Sequence, residues 1–221
     1  MDIITQTNII RQDINELASQ YVEIVPATKT RDASTINSLI SADIYIAGEN
    51  RVQELLSKYN EVDTRIKWHF IGRLQTNKVK YIIDKVDLIH SVDRIELVKE
   101  IDRQASKIGK VQDILVQINS GMEESKGGIS FDEAYDFVNL IASDYPNVRV
   151  CGLMGVMPIE DEEVLAGYYS KLYDTYACIK NANIQNTNIK WLSAGMSDDY
   201  KIALKYGANM IRPGRILFGD R

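Results

Sequence analysis

The segment VPATKT, residues 25–30, places Lys29 directly after a short apolar run of strand type. Lysine is a poor strand residue and is almost never fully buried without a partner. Held at a strand end and stripped of water, an ammonium gives up its proton more readily, and the free amine can attack an aldehyde to form a Schiff base. The competing reading is a lysine that snorkels to the rim of the fold. A second group of residues has the composition of a phosphate cradle: LSAGMSDD at 192–199 and NMIRPGRILFG at 209–219. Ser193 offers a hydroxyl, Gly195 and Gly214 allow close backbone approach, and Ser197 or Asp198 suits the cap of a following helix. Either segment alone is equally well a tight turn; two of them side by side favour a phosphate.

Other candidates carry weaker signals. Asn50 in GENRVQE sits at a strand end, where its amide could meet a ligand oxygen. His69 in KWHFIG and His90 in VDLIHS read as hydrogen-bonded core histidines, and Trp68 and Phe70 as packing residues. Asp198 and Asp199 lie at a helix start, which favours capping over a catalytic pair. The chain has only two cysteines, Cys151 and Cys178. With no CxxC and no Cys/His pairing there is neither a disulfide framework nor a zinc site, and both are expected to pack as small hydrophobes.

The elements that must position these residues form a regular alternation. Residues 3–21 carry apolar side chains at helical spacing. Strand-like segments follow at 23–28, 43–48, 67–72, 86–91, 113–119, 148–155, 189–194 and 208–214, with helical segments at 32–41, 50–60, 74–84, 94–108, 131–144, 160–182 and 198–206. Strands alternating with helices imply parallel βα units. A doubly wound sheet would place a Gly-rich turn after the first strand, and VPATKTRDAS contains no glycine. The pattern therefore predicts a single α/β domain over residues 1–221, a (β/α)8 TIM barrel with an extra N-terminal helix. Active sites of barrels lie at the C-terminal strand ends, which here carry Lys29, Asn50, His69, Asn119, Met154, Ser193 and Arg212 in order.

Composition excludes several classes. The 221 residues are 45% hydrophobic and 26% charged, with a net charge of -5. Nucleic-acid binding needs a basic stripe that is not visible, and no apolar run approaches the roughly 20 residues of a membrane span. The start, MDIITQTNIIRQD, lacks the basic and apolar regions of a secretory signal, so the expected location is the cytoplasm.

A lysine at strand one with a phosphate cradle at strands seven and eight suits pyridoxal 5'-phosphate (PLP). The sequence resembles the pyridoxal phosphate homeostasis protein family, single-barrel relatives of the alanine racemase N-terminal domain. The resemblance rests on TKT (28–30), GENRVQE (48–54), WHFIGRLQTNK (68–78), HSVDR (90–94), QINSGMEESKGGI (117–129), GLMGVMP (152–158), LSAGMSDDY (192–200) and IRPGRILFG (211–219). These segments run in the family's order over nearly the whole chain. The resemblance implies that Lys29 forms the internal aldimine, that Ser193 with the backbone around Gly195 and Gly214 holds the phosphate, and that Arg212 lies against the pyridine nitrogen. It puts Asn50 near the ring hydroxyl. Two departures stand out. PAT precedes the lysine where relatives tend to read AVS. Arg215 follows Arg212-Pro213-Gly214 where relatives usually read RIG and then Thr or Ser, which removes a hydroxyl and adds a charge toward the phosphate.

The resemblance further implies a PLP-binding protein that stores, buffers or delivers the cofactor to PLP-dependent apoenzymes, as a monomer and without turnover. Arginine is donor-only, so Arg212 would leave the ring nitrogen unprotonated and weaken the electron sink. Racemisation also needs acid/base groups on both faces of the substrate. In alanine racemases the second comes from a further β domain and a dimer partner, which a chain ending at Arg221 is not expected to have. The enzymatic alternatives are a PLP-dependent amino-acid racemase and, further off, a Schiff-base aldolase acting on a sugar phosphate.

Overall fold

The computed structural model describes residues 2–121 and 127–219. Its frame is one eight-stranded parallel sheet: β1 (Glu23–Ile24), β2 (Ile46–Glu49), β3 (Lys67–Phe70), β4 (Leu88–Val92), β5 (Gln112–Ile118), β6 (Val148–Gly155), β7 (Trp191–Ser193) and β8 (Met210–Ile211). Neighbours run β1-β8-β7-β6-β5-β4-β3-β2, and a parallel bridge between Ala27 and Gly48 brings β1 back to β2. The sheet thus closes into a TIM barrel, as the alternation predicts. β1 is short as a regular strand because Pro26 has no N–H to give. Its pairing continues nonetheless, from Val25 N–H to Ile211 O and from Ala27 N–H to Pro213 O.

Helices α1 (Ile3–Leu17), α2 (Ala33–Asn37), α3 (Val52–Lys58), α4 (Ile95–Lys107), α5 (Ala134–Asp144), α6 (Glu162–Asn181), α7 (Tyr200–Lys205) and α8 (Arg215–Phe218) surround the strands. α1 is the extra helix, capped by the Asp2 carboxylate accepting the N–H groups of Ile4 and Thr5. Asp161 caps α6 in the same way through Val164 N–H, so the acidic run at 160–163 is a helix start. The helix expected over 74–84 is instead a 3-10 segment, Thr76–Tyr81. Its β-branched residues disfavour an α-helix, and three-residue spacing buries both Val79 and Ile82. α8, four residues after a proline and a glycine, carries too little periodicity to be read from sequence.

Two apolar clusters divide the core. The larger lies between strands and helices and includes Trp68, Phe70, Ile114 and Tyr169. The smaller joins residues of several strands, Val25, Leu88, Leu115, Cys151, Met154 and Met210. Cys151 is buried as expected, and burial pushes its thiol up to about 12. Cys178 is exposed on α6 and so does not have the packing role expected of it. Among the described residues no helix is long and apolar enough to cross a membrane.

Candidate functional site

Past β1 the chain turns through Thr28–Arg31. Thr28 is buried, and both its N–H and its hydroxyl bond Gly48 O, at 2.8 and 3.1 Å. Lys58, at the end of α3, reaches back under this turn. Its ammonium donates to Thr28 O and Arg31 O, each at 3.0 Å, and pairs with Glu49 Oε2 at 2.6 Å. Three donors meet three acceptors, and the other carboxylate oxygen of Glu49 takes Asn50 N–H at 2.7 Å. Lys58 and Glu49 are both buried, with Lys58 only 7% exposed. Buried charges of this kind persist only when fully partnered. They grip the chain on both sides of Lys29. Lys29 itself is exposed, so the desolvated amine expected from its strand-end position is not what the fold provides.

Lys29 lines a cleft of about 470 Å³ with Ala27, Met196, Ser197, Arg212 and Gly214; Asp198 and Arg215 close its rim as an ion pair. Ser197 Oγ accepts N–H bonds from Gly214 at 3.0 Å and Ile216 at 3.2 Å. Accepting from two amides fixes this hydroxyl at the cleft wall and leaves its own O–H to donate. A Cβ at Gly214 would sit 3.6 Å from the Ala27 Cβ, in ordinary contact with the opposite wall. Gly195 differs: its φ of +91° and a Cβ position 2.7 Å from Ala203 Cβ make it a packing requirement against α7.

Beneath the cleft runs a buried polar chain. Arg212, 3% exposed, donates to Ser193 Oγ at 2.7 Å and to Gly155 O at 2.8 Å. Ser193 Oγ lies 3.1 Å from His90 Nδ1, and His90 Nε2 lies 3.1 Å from His69 Nδ1. Arginine only donates, so Ser193 accepts from it. The direction of the two bonds that follow is set by the tautomer of each imidazole. Burial first, then nearby positive charge, pushes His69 down to about 3 and His90 well below its usual range, so both are neutral. Burial also lowers Arg212, to about 10, which leaves it charged at neutral pH.

The fold therefore brings Lys29, Arg212, Gly214 and Arg215 to one cleft. It places Ser193 one layer inward, fully buried and already engaged, and Gly195 in the packing of the adjoining loop. Asn50 lines a different cleft, formed by the loops after β2 and β3 and by Arg94 beyond β4. Neither Ser197 nor Asp198 caps α7; Asp199 accepts Met196 N–H at 2.6 Å and Tyr169 OH at 2.6 Å. Residues 122–126 of the 117–129 motif lie outside the described residues. Sequence reading underrated Ser197, His90 and the Glu49–Lys58 pair. A signal existed for Lys58: with Val52 and Leu55 it falls on one stripe of α3, and a lysine on a buried stripe needs a partner.

An amine, a buried donor-only cation and a hydroxyl donor around one cleft fit a phosphorylated aldehyde. Comparison with known proteins agrees with that chemistry. The family model for the alanine racemase N-terminal domain matches residues 9–221. A pyridoxal phosphate homeostasis protein of Aquifex aeolicus is 41% identical over 201 residues, covering 90% of this chain and 87% of that protein. One from Synechocystis is 35% identical over 212 residues, covering 90% and 92%. The structure of PipY from Synechococcus elongatus with PLP bound superposes with a TM-score of 0.86 at 27% identity, covering 98% of this chain and all 100% of that one. An alanine racemase of Clostridium difficile, 16% identical with a TM-score of 0.77, shares the fold over 99% of this chain and 57% of its own. The chain belongs to the alanine racemase N-terminal domain family and, within it, to the pyridoxal phosphate homeostasis proteins.

Proposed function

We propose that the protein binds pyridoxal 5'-phosphate and holds it for storage, buffering or delivery, without turnover. The observation that carries this reading is the single cleft shared by Lys29, Arg212 and the Ser197 hydroxyl that Gly214 and Ile216 orient. PLP, when bound, supplies an aldehyde that condenses reversibly with an amine and a ring that withdraws electrons. Lys29 offers the amine, from a turn anchored at Thr28 and Arg31 by Lys58. Ser197, oriented by the amides of Gly214 and Ile216, donates its hydroxyl to the phosphate, with charge from Arg215 and close approach at Gly214, while Gly195 keeps the Ser197 loop packed on α7. Arg212 faces the ring nitrogen, and Ser193 orients Arg212 rather than touching the phosphate. Asn50, at the end of the strand next to β1, belongs to the ring-hydroxyl side.

A guanidinium that stays charged cannot hand a proton to the ring nitrogen, which removes much of the electron-sink character needed for carbanion chemistry. This favours a carrier over a racemase. A monomer in the cytoplasm that exchanges PLP with apoenzymes completes the reading.

The test is the visible absorption of the purified protein, wild type beside Lys29→Ala, before and after borohydride. We expect a yellow, borohydride-trapped attachment in wild type that is absent from the variant. A wild-type protein that stays colourless with added PLP overturns the binding role. Sustained deuterium exchange at the Cα of an L-amino acid, lost in Lys29→Ala, overturns the absence of turnover.

A further inference from the structure

Three segments by which the chain resembles its family, GENRVQE, WHFIGRLQTNK and HSVDR, supply none of the lining of the Lys29 cleft, although Glu49 holds the turn beside it. They follow β2, β3 and β4, and they converge on a cleft of about 660 Å³ on the β2–β4 side of the barrel mouth. Its lining includes four cationic side chains, Arg51, Arg73, Lys78 and Arg94, and no carboxylate. In a chain of net charge -5 this is a local reversal of sign. A concave surface lined by one sign of charge concentrates counter-ions more strongly than a flat one.

The four cations are not equivalent. Arg94 is fixed from both sides, by Asp93 at 2.6 Å and by Leu74 O at 2.8 Å, which also ties the loop after β3 to the end of β4. Arg51 leans on Glu54 at 3.4 Å. Arg73 is exposed and has no carboxylate within ion-pair distance among the described residues, and Lys78 meets only the ring of Tyr81, 5.7 Å away. Two tethered cations therefore shape the cleft while two unpaired ones are left to meet a ligand. Thr76 adds a hydroxyl to the same lining.

We propose that this cleft is a second binding site, for a small oxyanion, a carboxylate or a phosphate, held by Arg73 and Lys78 within the framework of Arg51 and Arg94. Of its lining only Asn50 has a part in the proposed PLP site; Arg51, Arg73, Lys78 and Arg94 have none, so the anion site stands whether or not the protein carries PLP.

Two-dimensional amide NMR of the full chain, titrated separately with inorganic phosphate and with succinate at constant ionic strength, tests it. We expect saturable shifts at residues 73–78 and 94. In Arg73→Gln/Lys78→Gln the binding weakens by about tenfold or more, while in Lys29→Ala and Ser197→Ala it is unchanged. A response to phosphate alone identifies a phosphate site, and one to succinate alone a carboxylate site; either supports the proposal. Shifts confined to residues 196–198 and 214–216, no saturable shift with either anion, or binding unaltered in the double variant overturns it.

Discussion

The two halves of the barrel mouth treat positive charge in opposite ways. On the β7–β8–β1 side Arg212 is buried, and two of its donors are committed to Ser193 and Gly155. On the β2–β4 side Arg73 and Lys78 have no carboxylate within ion-pair distance among the described residues, and both line an open cleft. A buried cation held by two fixed acceptors presents its remaining donors in one direction, because its surroundings have little freedom to reorganise. An exposed cluster offers charge without direction, and salt screens it. The first half is built to position a specific group and the second to attract a class of them.

The Glu49–Lys58 pair lies where the halves meet, with Glu49 ending β2 and Lys58 holding the Lys29 turn. Breaking it should have the largest effect. Glu49→Leu or Lys58→Met alone is expected to cost about 3–5 kcal/mol, because the surviving charge stays buried, and the double variant should recover most of that loss. Urea unfolding of the two singles and the double measures the coupling. A double variant as unstable as the singles summed would deny the pair its role. If the grip also orients Lys29, the folded double variant will attach PLP more slowly than wild type in borohydride trapping.

Glycine separates positioning from packing within the cofactor half. Gly195→Ala is expected to lose about 1–3 kcal/mol from its positive φ and the overlap with α7. Gly214→Ala should leave unfolding nearly unchanged yet weaken PLP binding, since its Cβ enters the cleft. Equal stability losses for the two variants would contradict the assignment.

Acid should expose the buried histidine chain. Both imidazoles have folded pKa values below the ordinary 6.5. The unfolded state therefore binds protons that the folded state refuses, and stability falls as pH drops below about 6.5, for His69 down to about 3. Within that window each histidine contributes a slope of about 1.4 kcal/mol per pH unit. His69→Asn keeps a group that can donate to or accept from His90 but cannot titrate, so its unfolding midpoints between pH 7 and 5 should fall less steeply. An unaltered slope would mean that His69 takes up its proton in the folded state.

The smallest effect belongs to the rim. Arg215 pairs with Asp198 in solvent, and Arg215→Thr should shift PLP affinity less than about fivefold, as an exposed ion pair is worth little. Calorimetric titration of the two proteins with PLP decides what the Arg215 side chain adds to the phosphate site.

Much of this protein is decided locally. Strand and helix alternation, the absence of glycine after β1 and the acidic start of α6 are short-range patterns, so the barrel and the strand-end positions of Lys29 and Arg212 are legible in the chain alone. Element ends are less so: the 3-10 segment at Thr76–Tyr81 and the two-residue β1 depend on which backbone groups find partners across the barrel. The partition of the site is wholly tertiary. SxGxS reads as one motif, yet period-two alternation turns Ser193 inward to Arg212 and His90, while the turn after β7 carries Ser197 to Gly214 and Ile216. Lys58 and Thr28 are far apart in sequence and meet only because α3 packs beneath the β1 turn. Sequence determined which groups are available and on which strand ends they sit. Tertiary structure decided which are buried with partners and which stay open, because desolvation and hydrogen-bond completion are set by neighbours brought in from distant strands.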